Sequence, residues 1–484
     1  MIYRVFAFVF VCSSLAGLAQ DFQPSPAVKK LTQEILETNG KGEFYSIPDF
    51  RSKSADRSLP IGIFDSGIGG LTVLETILNL DTHNNASGQP GQDGIPDFQG
   101  EKFVYLGDQA NMPYGNYASA QKEDLLRELI LRDVLFLFGD RYWSDATAVS
   151  PRFDKPSVKA IVIACNTATA YGLEDIRYAL QEWKMNIPVI GVVEAGANAL
   201  VQELPRTGQA GGVGVMATLG TCSSGAYPKA ISKSAGLAGK RQPTVWQQGS
   251  VGLAGAIEGN PSFVGGPTGY QGPSTSNPAA KIESDLIDVY GFDPQGLEGE
   301  LSDPASWRLK SVGNYVRYDV VSMVESYRRS GSQTPLSSII LGCTHFPFES
   351  ERILQELERL RTFKRIDGTT PYSNLISPNL ELIDPGVLTA KQLFRTLVAN
   401  RVRSERSDSA PSIDRMFVSV PNRTLSLDLT AEGNFTNEYK YGRTAGSLTV
   451  EDYRFVPLTK QNTPSTLQKL LSENCSKVWQ QLGR

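Results

Sequence analysis

Residues 160–169 read AIVIACNTAT and residues 338–347 read SIILGCTHFP. Each is a short aliphatic run that ends in a small residue, a cysteine and then hydroxyl, amide or imidazole side chains. Runs that are apolar throughout, rather than at every second position, fit parallel strands covered by helices on both faces. The same pattern recurs at Ile61 to Phe64, Phe103 to Leu106, Val189 to Val193 and Val213 to Met216, each followed by a helix-like stretch. Strands alternating with helices predict an α/β fold. The repetition goes further, because IGIFDSG at 61–67 is echoed by VGVMATLG at 213–220. We read this as an internal duplication. Each half then carries a cysteine just past the carboxyl end of a buried strand, where open α/β sheets present their chemistry.

The chain has 484 residues, 40% of them hydrophobic. That is enough for two or three domains, since single cores stop growing near about 250 residues. The 47 basic and 51 acidic residues give a net charge of −4 with no long basic run. Nucleic acid is therefore not an expected partner. Met1 to Ala19 reads as an export leader: Arg4 is the positive start, Val5 to Val11 the apolar stretch, and Gly17-Leu18-Ala19 the cleavage region. Export, to the periplasm, is the expected localisation, with a cytoplasmic chain as the alternative if the leader is misread. Without the leader no stable membrane span is expected, since the apolar stretch is shorter than the roughly 20 residues a spanning helix needs.

Polar segments rich in Gly, Pro and Ser at Asn84 to Gly100, Gly259 to Ala280 and Arg403 to Ser412 read as surface insertions that bury little. Asp93-Gly94-Ile95-Pro96-Asp97 lacks the regularly spaced oxygen ligands of a calcium loop and reads as a solvated turn. No metal site is expected.

Four cysteines follow the leader, Cys165, Cys222, Cys343 and Cys475, without the close pairing of a zinc or redox motif. A lone cysteine usually packs as a small hydrophobe. Duplication changes that reading for Cys165 and Cys343. Removing the α-proton of an amino acid needs a positioned base, and inverting the carbon needs a second acid on the opposite face. Equivalent residues of two repeated halves supply such a pair. Asn166 and Thr167 after the first cysteine, and Thr344 and His345 after the second, offer groups that could hold a carboxylate.

The segments IGIFDSGIGGLTVL (61–74), YLGDQANMPYG (105–115), IVIACNTATA (161–170), PVIGVVEAGA (188–197), GVGVMATLGTCSSGAYPKA (212–230) and LGCTHFP (341–347) resemble glutamate racemase, in order and across both halves. The resemblance runs from about Ile61 to the neighbourhood of Leu458, closing on PNRTLSL and FTNEYKYGRTAG. It implies two pseudo-symmetric, doubly wound α/β domains with mainly parallel sheets, glutamate bound in the cleft between them, and no cofactor. The corresponding division is a leader at 1–19, an N-terminal extension at 20–58, a first domain at 59–195 completed by 383–460, a second domain at 196–382 with insertions, and a tail at 461–484. A homodimer is compatible with this arrangement.

By the resemblance the catalytic cysteines fall on Cys165 and Cys343. The substrate-binding pairs fall on Asp65 and Ser66, Tyr114 and Gly115, Asn166 and Thr167, and Thr344 and His345. A thiol of ordinary pKa near about 8.5 must lose its proton to act as a base. Asp65 can assist Cys165 and His345 can assist Cys343, although Asp-Ser-Gly also caps helices. Thr344-His345 favours glutamate, because related aspartate racemases typically carry glutamate at the histidine position. QQGSVGLAGAIEG (247–259) partly matches a family segment ending in a functional glutamate, which makes Glu258 an auxiliary acid or, equally, a surface carboxylate. Ser250-Val251 replaces the family's Cys-Pro there. Cys222 and Cys475 receive no role. Two other readings stay open: a racemase of aspartate or another amino acid, and a non-catalytic exported amino-acid-binding protein that kept the cleft.

Overall fold

The computed structural model describes residues 22–482 except 49, 51–55, 205–210, 266–268, 301, 405–408, 449 and 464. The leader read at Met1–Ala19 lies outside the described residues. In chain order the strands are β1 (Ile61–Asp65), β2 (Lys102–Gly107), β3 (Ala160–Ile163), β4 (Val189–Gly191), β5 (Gly212–Thr218), β6 (Val245–Ser250), β7 (Leu297–Glu298), β8 (Arg308–Leu309), β9 (Leu336–Gly342), β10 (Ile376–Ile383), β11 (Ser412–Pro421) and β12 (Tyr453–Pro457). They form a six-stranded sheet in the order β12-β11-β2-β1-β3-β4 and a four-stranded sheet in the order β10-β9-β5-β6, while β7 and β8 pair separately. Both larger sheets are parallel except for β12, which runs antiparallel to β11.

Continuous apolarity has the expected cause. Along β1, β2 and β3, Phe64, Val104, Leu106, Ile161 and Ile163 enter one core. Their neighbours Ile61, Ile63, Phe103, Tyr105, Ala160 and Val162 enter another on the opposite face. The smaller sheet does the same, with Met216, Ile339 and Leu341 on one side and Val213, Val215 and Ile340 on the other. Truncating such a strand residue leaves a cavity between sheet and helix. Ile63→Ala is expected to cost about 2–5 kcal/mol, read as a fall in the urea midpoint at unchanged slope.

The duplicated segments occupy equivalent places. IGIFDSG forms β1 beside β3 in the larger sheet, and VGVMATLG forms β5 beside β9 in the smaller. Two helices connect the halves, Val192–Glu203 leaving the larger sheet and Pro385–Ala399 following β10, and they pack on each other. Among the described residues, no helix is long and apolar enough to cross a membrane.

The insertions bury more than their composition predicts. Phe98 and Asp97 are buried, and Asp97 accepts from the backbone N–H groups of Thr82 and His83 and bonds the His83 ring at 3.0 Å. Phe263 and Ala280 are buried as well. A few apolar or charged anchors suffice to dock a segment whose average composition is polar. Residues 405–408 of the third insertion lie outside the described residues.

Candidate active site

The carboxyl ends of β1, β3, β5 and β9 meet around a cavity of about 360 Å³. Its wall takes Ser66, Tyr114, Gly115, Cys165, Asn166 and Thr167 from the first half, and Thr218, Cys343, Thr344 and His345 from the second. Asp65 and Glu258 stand behind this wall, bonded to residues in it. The structure therefore brings every residue singled out in the sequence to one place. All four cysteines of the described chain are free, and Cys222 and Cys475 do not line this cavity.

Cys165 immediately precedes the helix Asn166–Glu182, and its sulfur accepts from the Ala168 N–H at 3.3 Å. The thiol donates to Ser66 Oγ at 3.6 Å. A helix N-terminus favours a thiolate. Burial opposes it more strongly and, reinforced by the charge of Asp65, pushes the Cys165 thiol up to about 12. At neutral pH this sulfur keeps its proton.

Ser66, rather than Asp65, is thus the side chain that bonds the Cys165 sulfur. The Asp65 carboxylate accepts from the N–H groups of Gly67 and Gly70 at 3.1 Å each, closing the turn that starts the helix Leu71–Asn79. Thr344 Oγ1 donates to its other oxygen at 3.5 Å across the cleft. Burial pushes Asp65 up to about 6, opposed by the charge of His345 and by the two backbone donors. Between its ordinary value and about 6 the folded chain holds a proton that the unfolded chain has lost. Asp65 therefore favours folding in acid, and that contribution is lost as pH rises through about 6. Asp65→Asn is expected to be the more stable protein at neutral pH, by on the order of 2–3 kcal/mol, with the difference disappearing toward about pH 4. Urea melts at the two pH values measure this directly.

On the second side, the Cys343 sulfur lies 3.7 Å from His345 Nδ1, and His345 Nε2 lies 2.7 Å from Glu258 Oε1. Burial works against a charged imidazole, but the contacts with Cys343 and Glu258 prevail and hold His345 well above the usual histidine range. Carboxylate, imidazole and sulfur form a line in which each group orients the next, the logic of a catalytic triad. Glu258 is 8% exposed, which excludes the surface-carboxylate reading. Ser250, standing where the family has cysteine, donates to the buried Asp319 at 2.5 Å instead. The Tyr114 hydroxyl points away from the cavity into a buried cluster with Asp108 and Asp133, at 2.5 and 2.7 Å.

Across 335 residues, 69% of this chain and 79% of the relative, the sequence is 35% identical to a glutamate racemase of Limosilactobacillus fermentum. The chain belongs to the glutamate racemase family. A glutamate racemase of Pediococcus pentosaceus is 26% identical over 351 residues, 72% of this chain and 86% of that relative. Residues 138–262 match the Asp/Glu/Hydantoin racemase family. A solved glutamate racemase from Bacillus anthracis aligns over 74% of this chain and 88% of its own at 22% identity, with a TM-score of 0.43.

Three residues around the glutamate racemase site were not singled out from sequence. Thr218 holds in VGVMATLG the place that Ser66 holds in IGIFDSG, so the duplication itself could have revealed it. It bonds Thr167 at 3.1 Å and Thr221 at 3.0 Å. Tyr227 donates to Asn166 Oδ1 at 2.6 Å from the opposite half. Gln109 donates to Glu258 Oε2 at 3.5 Å; no local signal marks either of these last two. Tyr227→Phe leaves the buried Asn166 carbonyl without its donor. We expect a stability cost of about 1–3 kcal/mol, read as a fall in the urea midpoint.

Proposed function

We propose that the chain interconverts L- and D-glutamate by proton transfer between Cys165 and Cys343. The observation that carries this reading is that two free, buried cysteines end equivalent strands of the two halves and line one cavity. One sulfur removes the α-proton as a thiolate, the other delivers a proton as a thiol, and the carbon inverts. Asp65 and Ser66 serve the Cys165 side; His345, oriented by Glu258, exchanges protons with Cys343. Substrate binding favours the thiolate, since an α-ammonium group near the Cys165 sulfur lowers the thiol pKa that burial raised. Asn166, Thr167, Thr344 and the backbone beside Gly115 hold the carboxylates.

Incubating the chain with L-glutamate in deuterated water tests this. Optical rotation is expected to decay to zero while deuterium enters the α-carbon. A static rotation with no deuterium uptake would refute catalysis and leave an amino-acid-binding protein.

Supply of D-glutamate to peptidoglycan is the accompanying proposal, and it calls for a cytoplasmic enzyme. The leader read at Met1–Ala19 argues for export and a role outside the cytoplasm. Fractionation of the producing cell with N-terminal sequencing decides between them: a chain starting after Ala19 outside the cytoplasm supports export, and a chain starting at Met1 inside it supports wall precursor supply.

A further inference from the structure

Beside the catalytic cavity lies a wider chamber, about 1420 Å³ of empty space and partly open to solvent. Pro113, Gly115, Thr218 and Ala254 line both, so the two spaces meet at that wall. The outer wall comes from the insertion 259–280, which lies outside the family resemblance. Its described residues are firmly docked. The Phe263 ring fills the space beside Gly252 and Gly255, where a Cβ would meet it at 2.4 and 2.3 Å. Tyr315 donates to the Phe263 carbonyl at 2.8 Å, and the Tyr270 hydroxyl accepts from the Leu309 N–H at 3.0 Å. Gly252 caps, and Gly255 lies in the middle of, the short helix Leu253–Ile257 that leads directly into Glu258. The chamber wall and the His345–Glu258 line are therefore held by the same element.

The chemistry of the wall restricts what it can receive. Among the described residues, no Asp, Glu, Lys, Arg or His lines the chamber. Asn116, Ser119, Gln271 and Ser276 give the chamber amides and hydroxyls, and Phe263 and Phe346 give it apolar surface. Such a surface suits a neutral group that both donates and accepts hydrogen bonds, and it offers no cation to pair with a carboxylate. The reacting carbon must lie between the sulfurs, and its amino and carboxylate groups lie there with it. Only the far end of the substrate side chain has the reach to enter the chamber.

We infer that the chamber binds an uncharged polar substituent on the side-chain carboxyl of the substrate, so that the enzyme also acts on γ-glutamyl amides. This rests on the proton-transfer function proposed above. The amide keeps the α-ammonium and α-carboxylate groups, and the same two-thiol exchange applies without any further reactant.

The test compares α-deuterium uptake from deuterated water by L-glutamate and by γ-L-glutamyl glycinamide. The unaltered chain is expected to exchange both. Ala279→Trp and Ser276→Trp, on the exposed outer wall, are expected to lower kcat/KM for the amide by about tenfold or more while leaving glutamate within about threefold. Far-ultraviolet circular dichroism confirms that each variant is folded, and either folded variant suffices. Exchange of glutamate without exchange of the amide would overturn the chamber assignment and leave the racemase reading standing. Equal losses on both substrates would overturn it as well. Failure of both substrates in the unaltered chain would overturn the racemase reading on which it rests.

Discussion

Cys165→Ala and Cys343→Ala are each expected to lose racemisation by about a thousandfold or more, while each retains a different half of the exchange reaction. With Cys165 removed, Cys343 and His345 remain as base and proton store on one face. That face can still take the α-proton of the enantiomer that points toward it and return a deuteron from solvent to the same side. The product is labelled but not inverted, because no acid waits opposite. Cys343→Ala leaves the mirror situation, with Cys165 as the remaining base. Each variant should therefore label one enantiomer of glutamate, the two variants should label opposite ones, and neither should change optical rotation. Labelling of the same enantiomer by both would place the sulfurs on one side of the substrate and refute the mechanism. Measurable inversion by both would remove the thiols from the chemistry altogether.

These two sulfurs were legible in the sequence because of the duplication and not because of their own surroundings. Cys475 is buried and Cys222 partly so, and both share the raised thiol pKa of Cys165, each pushed up to about 12 by desolvation. What separates Cys165 and Cys343 is their position after matching strands, which a repeat in the sequence records. The buried central strands were legible for a similar reason, as their two-sided burial leaves uninterrupted aliphatic runs. Of the edge strands only Val189–Gly191 was read, with its last two expected residues, Val192 and Val193, turning into the next helix; the other edge and late strands were not. Val245–Ser250 is half-exposed along most of its length, and Ile376–Ile383 contains Pro378 and a register shift against β9. Ser412–Pro421 carries Asp414 and Arg415 inside it, yet pairs with β2 within the larger sheet. The contacts that cross the cleft, Thr344 to Asp65 and Tyr227 to Asn166, join residues far apart in sequence whose spacing holds no trace of the bond. For Asp65 the sequence offered two readings, a helix cap and an assistant to Cys165. Its carboxylate closes the Gly67–Gly70 turn ahead of the helix, whose N-cap is Gly70 itself, and its charge raises the Cys165 thiol pKa while Ser66 makes the hydrogen bond.

The second large effect concerns the line from Glu258 through His345 to Cys343. His345→Asn removes the group that hands protons to and from the Cys343 sulfur, and a loss of about 10²–10⁴ in kcat is expected. Glu258→Gln keeps the shape of the contact to His345 Nε2 but withdraws the charge that helps hold the imidazole ionised, so its effect should be smaller. Because Glu258 bonds His345, which alone of the two lines the cavity, the carboxylate acts through the ring. The two losses should then fail to add: the double variant is expected to be no slower than His345→Asn alone. A further constraint comes from the reaction itself. The equilibrium constant of a racemisation is unity, so kcat/KM must fall equally from L- and D-glutamate in every variant. The face served by His345 shows instead in separate kcat values and in the primary isotope effect, which should grow for the enantiomer whose α-deuteron Cys343 removes. Additive losses, or isotope effects that grow equally from both enantiomers, would mean that Glu258 acts on the substrate directly and that the line is structural packing.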